Sequence, residues 1–204
     1  MQNKHKIIRI FDRNWNWILL AAFFFLFGIV ASVIFFGNEK FFLNELTATQ
    51  KQVLNELAGL ILEGSILHGI VLLFLNNLFA SLQMVVLGVL LGIPSLFGLF
   101  FNGALLGSLL VTLGLENQPV FVFIALGILP HGVFELPAFF ISAAFGLKLG
   151  FHLIFPLPQK KRGESISLIW KEYWSLFPLV VNLLILAAVI EVVLTPLLLR
   201  LVVG

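Results

Sequence analysis

Long apolar runs alternate with short polar intervals along this chain, and the lengths of the runs set the first expectation. The run from Trp17 to Phe36 has about the 20 residues that an α-helix needs to cross a ~30 Å hydrocarbon core. Trp15 and Trp17 stand at its entrance, where amphipathic indoles favour the membrane–water interface. The run is too long for a cleaved leader and lacks a small-x-small cleavage site, so a retained anchor is expected. A polar interval follows, from Gly37 to about Ser65. In it Phe42, Leu46, Val53, Leu57 and Leu60 recur at spacings of four, seven, four and three, a helical period. That pattern predicts an amphipathic helix lying on the membrane or against the bundle.

The segment from Ile66 to Leu115 is apolar throughout and is divided by Gly92-Ile93-Pro94-Ser95, since proline disfavours helix at the residue before it. Span two is therefore expected over 66–92 and span three over 94–115. Span four is expected over 119–146 and span five over 176–203. A basic loop separates the last two and ends in "SLIWKEYW", whose Trp170, Tyr173 and Trp174 suit an interfacial helix. The prediction is an all-α membrane protein. It is a single integral membrane domain over 1–204, a polytopic bundle of about five transmembrane helices plus one amphipathic extracytoplasmic helix.

Composition strengthens this reading. Charged residues make up 11% of the chain, against the ~25% of soluble domains. A net charge of +2 is too small to point to a nucleic-acid partner, and Lys160-Lys161-Arg162 suits lipid headgroups. The absence of cysteine excludes disulfides, thiolate metal sites and thiol nucleophiles.

Charge also orients the bundle. Lys4, Lys6, Arg9 and Arg13 precede span one, and Lys148, Lys160, Lys161, Arg162 and Lys171 fall between spans four and five. Those four and five together are nine of the twelve basic residues, all on one side if five spans alternate. The other side keeps Lys40, Lys51 and Arg200 among Glu39, Glu45, Glu56, Glu63 and Glu116. The positive-inside rule then puts the N terminus in the cytoplasm and the C terminus outside the cell membrane.

Chemistry concentrates in span four, at "LPHGVFELPAFF". Pro130 lacks a donor and suits the first turn of a new helical half, and Pro137 frees the carbonyl of Val133. The span is expected to break at Pro130 and to lie at the centre of the bundle, because freed backbone groups at membrane depth need protein or water around them. His131 and Glu135 are spaced i, i+4 on one helical face. An ionised carboxylate near the bilayer centre costs at least about 2.5 kcal/mol, so Glu135 is expected to be protonated, paired or facing a wet cavity. Asn76, Asn77, Asn102 and Glu191 are the other polar groups at comparable depth, and the six residues are expected to form one intramembrane polar cluster. Three readings of it stay open: structural hydrogen bonding between helices, a proton or ion path, and a metal site. Two ligands without a third at recognisable spacing are a weak metal signal, so no metal or cofactor is expected. H-E-x-x-H is absent, no serine–histidine–aspartate set can be assembled, and no catalytic residue is assigned.

Gly88 with Gly92, and Gly103 with Gly107, form small-xxx-small pairs that let helices approach closely in lipid. With the modest size of the chain they suggest a homodimer.

The order Asn-Asn, then Asn-Gly-x-x-x-Gly, then Pro-His-Gly-x-x-Glu-Leu-Pro-Ala falls at Asn76, Asn77, Asn102, Gly103, Gly107, Pro130, His131, Gly132, Glu135, Leu136, Pro137 and Ala138. In this it resembles the stage II sporulation protein M family, over roughly residues 70 to 150. The resemblance implies a multi-spanning membrane protein without enzymatic activity. In endospore formers the sporulation member is similar to a membrane anchor for two cell-wall-cleaving partners. The intact histidine–glutamate motif resembles the members found outside spore formers and turns the expectation toward a general membrane role. Two function classes follow. One is a scaffold that positions extracytoplasmic or membrane protein partners in the lipid bilayer. The other is a small transporter or channel that uses His131 and Glu135.

Overall fold

The computed structural model describes residues 2–36 and 65–198. The amphipathic helix expected between spans one and two lies outside the described residues, as does the expected end of span five beyond residue 198. Among the described residues the chain is helical, with no strand. Five helices are long and apolar enough to cross a membrane. They are α1 (Gln2–Phe36), α2 (Ile66–Gly88), α3 (Ile93–Leu115), α4 (Val120–Ile154) and α5 (Arg162–Leu198).

Several helices outrun the spans read from hydropathy. The helix α1 starts at Gln2, some fifteen residues before the expected entrance at Trp17. The helix α5 starts at Arg162, so "SLIWKEYW" is its first part and not a separate interfacial helix. Hydropathy marks where lipid begins, whereas backbone hydrogen bonding continues into the headgroup region wherever side chains support it. Lys161 and Glu164 show such support: the Lys161 N–H donates to Glu164 Oε2 at 2.9 Å, closing the first turn of α5. Ser65 does the same for α2, its Oγ accepting from the His68 N–H at 3.3 Å.

The turn between α2 and α3 falls where the sequence places it. Gly92 adopts φ +73°, the left-handed conformation that glycine enters without penalty, and Pro94 sits in the first turn of α3. Ser95 Oγ donates to the Met84 carbonyl at 2.7 Å and ties the two helices across the turn.

Parallel helices pack through their small residues. A Cβ on Gly107 would lie 2.6 Å from the Ile29 carbonyl oxygen, and one on Gly103 would meet the Phe25 carbonyl group, so α3 rests directly on the backbone of α1. Gly88 of α2 faces the backbone of Gly146 in α4 in the same way. The glycine pairs that suggested a homodimer thus pack inside one chain, and they no longer argue for a second copy.

The helix α4 is the axis of the bundle, but not at the segment expected. From Ala138 to Gly150 every residue except Phe140 is buried, among them Ser142, Ala143, Ala144 and Phe145. The stretch Leu129–Pro137 before it lies at the margin: Leu129 and Val133 are exposed on one side, while Gly132 is buried on the other. Phe23, Phe79 and Phe121 also project outward, as a lipid-facing surface requires.

Candidate functional site

Proline shapes the site from the backbone outward. Chain continuity is kept through Pro130, and the expected interruption takes the form of a π-helical stretch, Phe123–Ile128, immediately before it. The Leu129 N–H bonds to the Ile124 carbonyl, five residues back. A second π-helical stretch, Ile190–Leu194, precedes Pro196, where the Thr195 N–H bonds to the Ile190 carbonyl. In both places the residue before a proline makes the i→i−5 bond. The wider turn moves backbone away from a ring that would otherwise clash with the carbonyl four residues earlier. Isolated π turns are rare, and they occur often where helices carry function.

These two stretches flank one cluster. His131 and Glu135 project from the same face of α4, and Glu191 comes from the π-helical part of α5. One ligand atom from each of the three lies within 4.8 Å of the other two. A cavity of about 230 Å³ adjoins them, and Asn76, Asn77, Ser81, Asn102, His131 and Glu135 all line it. Five of the six residues singled out in the sequence therefore share this cavity, and Glu191 joins through His131 and Glu135. Asn76 and Asn102 are exposed at its rim, while Phe25, Leu106, Ile128, Phe139 and Leu184 supply apolar wall. At ~30 Å³ per water the space holds several waters or a partly hydrated ion.

Hydrogen bonding leaves the cluster open. The amides bond locally, Asn76 Nδ2 to Asn77 Oδ1 at 3.4 Å and Asn102 Nδ2 to the Gly98 carbonyl at 2.8 Å. Neither bond bridges two helices. His131 Nδ1 and Ser81 Oγ are buried without a hydrogen-bond partner. No salt bridge among the described residues reaches Glu135 or Glu191. Unpaired polar groups at this depth are costly.

A second polar cluster went unread in the sequence. Lys148, expected in the loop, is inside α4 and only 4% exposed, as is Glu172 of α5. Lys148 Nζ donates to Glu172 Oε2 at 3.0 Å and to Asn14 Oδ1 at 2.6 Å. Asn14 Nδ2 donates to Glu172 Oε2 at 3.2 Å and to the Ile10 carbonyl at 2.7 Å, and Arg13 holds Glu172 Oε1. The network joins α1, α4 and α5 at one end of the bundle and is fully paired. Beside it Lys6, Arg9, Arg13 and Lys171 line a basic groove. The signal available in the sequence was Lys148 itself, a lone cation between Gly146 and Gly150 in an otherwise apolar run.

Comparison with known proteins agrees with the family resemblance. Two uncharacterized proteins of Methanocaldococcus jannaschii are similar to this chain. One is 35% identical over 121 residues, 59% of this chain and 67% of the relative. The other is 30% identical over 183 residues, 88% of this chain and 81% of the relative. No solved structure matches. The family model described as "Stage II sporulation protein M" matches residues 21–196, which takes in most of the chain from the middle of α1 into α5 and both π-helical stretches, and the chain belongs to that family.

Proposed function

We propose that this chain is a non-enzymatic, multi-pass protein of the cell membrane that binds a small cation in the cavity beside His131, Glu135 and Glu191 and moves it across the bilayer. The observation that carries the reading is the meeting of two carboxylates and an imidazole, within 4.8 Å, beside a polar cavity roughly halfway along α4. Ionisable groups at membrane depth mark ion and proton pathways by default, because they are expensive to keep for packing alone. A structural role would join them by hydrogen bonds across helices, and the amides here bond within their own helices. In the proposed orientation the N terminus and the basic groove lie in the cytoplasm, consistent with the N-terminal cations Lys6, Arg9 and Arg13 meeting Lys171 of α5 at one end.

Reconstitution into liposomes carrying a pH- or cation-sensitive dye tests the reading. The chain should raise flux above that of empty vesicles, and Glu135→Gln should reduce the increment at least tenfold without loss of folded protein. Flux equal to empty vesicles, or unchanged in Glu135→Gln, would refute it.

A second reading, carried only by the resemblance to the sporulation member of the family, is that the bundle anchors partner proteins at the membrane. Purification from native membranes separates the two. A stoichiometric protein partner, with no flux from the chain alone, would decide for the anchor.

A further inference from the structure

The cluster has the donor set of a metal centre. We propose that His131, Glu135 and Glu191 bind one divalent transition-metal cation of the zinc or manganese class; this rests on the cation-site reading above and names the ion. Three protein ligands are now in place where the sequence spacing offered two, because the π-helical stretch of α5 carries Glu191 to the face of α4 that bears His131 and Glu135.

Charge selects the valence. With a metal bound, the carboxylates give up their protons, and two carboxylates with a neutral imidazole carry a formal charge of −2 that no salt bridge among the described residues offsets. A divalent ion makes the site neutral, the least costly state in a low-dielectric surrounding. Donor type selects the class. An imidazole with carboxylate oxygens suits zinc, manganese, iron and cobalt, whereas calcium and magnesium favour all-oxygen shells. The chain has no cysteine, which removes the usual competitor for soft ions.

Geometry and unfilled valence agree with this. In a tetrahedral site with bonds of ~2.0–2.1 Å the donor atoms stand roughly 3.4 Å apart. From a spread within 4.8 Å, the donors must close by at most about 1.4 Å to reach that spacing. Ser81, 1% exposed, lines the same cavity with an unpartnered Oγ, placed to donate to a ligating carboxylate or a bound water. His131 Nδ1 is likewise buried and unpartnered. Cavity waters or the carboxamide oxygens of Asn76, Asn77 and Asn102 can fill the remaining positions.

Binding is measured on the full chain in nanodiscs, purified without a polyhistidine tag, stripped with chelator and titrated calorimetrically with zinc, manganese, magnesium and calcium chlorides. One equivalent of zinc or manganese should bind at least 100-fold more tightly than magnesium or calcium. Glu191→Gln and His131→Gln should each weaken it at least tenfold, while His152→Gln, at a half-buried histidine outside the cluster, should leave it unchanged. Absence of this equivalent, or its persistence in both Glu191→Gln and His131→Gln, would overturn the proposal. Should those variants fail to fold, X-ray absorption on the zinc-loaded wild-type chain decides: one imidazole among oxygen donors supports the site, and no imidazole or more than one refutes it. The two readings fail separately. Proton flux with no metal binding removes only the metal, whereas metal binding with no flux of any cation leaves a structural metal centre and removes transport.

Discussion

Lys148→Met takes the cation out of a buried network and leaves the rest of the side-chain volume. Glu172 then keeps Arg13 on Oε1 and the Asn14 amide on Oε2, while Asn14 Oδ1 loses its 2.6 Å donor. Removing one partner of a buried ion pair costs about 3–5 kcal/mol when the other charge is stranded. Glu172 is not stranded, but the Arg13 side chain that remains is 58% exposed and screened by solvent, so the lower end of the range applies, about 3 kcal/mol. At roughly 2–4 °C per kcal/mol for a chain of this size, the melting temperature in mild detergent should fall by about 6–12 °C. The double variant Lys148→Met with Glu172→Gln removes both charges and should recover part of the loss, with a coupling of about 1–3 kcal/mol. Thermal unfolding followed by tryptophan fluorescence reads all four corners of the cycle, since Trp170 and Trp174 lie beside Glu172 in α5. A Lys148→Met melting temperature within a degree of wild type, or strictly additive single effects, would show that the network does not hold α1, α4 and α5 together.

Gly103→Val should destabilise by at least about 1–3 kcal/mol, because its side chain must displace the Phe25 carbonyl of α1, and detergent-resistant folding is the readout. Glu135→Leu and Glu135→Gln should both stay within about 1 kcal/mol of wild type in the same melts, because Glu135 makes no salt bridge among the described residues, and a loss of about 1–3 kcal/mol in Glu135→Leu alone would favour a structural role for the cluster. Reporter fusions after Lys161 and at the C terminus should report opposite sides of the membrane, and finding both on one side would reject the orientation.

Much of this architecture is legible in one dimension. Span number follows from apolar run length, and the break at Gly92-Ile93-Pro94 follows from backbone sterics, so both could be read directly. The spacing of His131 and Glu135 placed them on one face, and the scarcity of intramembrane polar groups brought in the asparagines and Glu191. Legibility ended where identity depends on partners distant in sequence. Lys148 reads as a loop cation because its partners, Glu172 and Asn14, are 24 and 134 residues away. The π-helical stretches were hidden because no residue preference marks an i→i−5 bond; only Pro130 and Pro196 hinted at them. Ser81 entered the cavity unannounced, as one hydroxyl in an apolar helix. The glycine pairs ceased to support the dimer expectation for a related reason: a glycine pair shows that some backbone comes close, not whose.

Access of water and ions to the cavity is the central claim, and the chain's lack of cysteine makes it directly measurable. Ala80 lines the cavity, and its neighbour Phe79 is 70% exposed on the lipid-facing side of the same helix. Single Ala80→Cys and Phe79→Cys chains, treated in sealed vesicles with a charged, membrane-impermeant thiol reagent, sample the two environments at the same depth. Ala80→Cys should be modified at least tenfold faster than Phe79→Cys, and bound cation should slow it. Equal rates at the two positions, or no modification of Ala80→Cys from either side of the membrane, would contradict a hydrated cation site in this bundle.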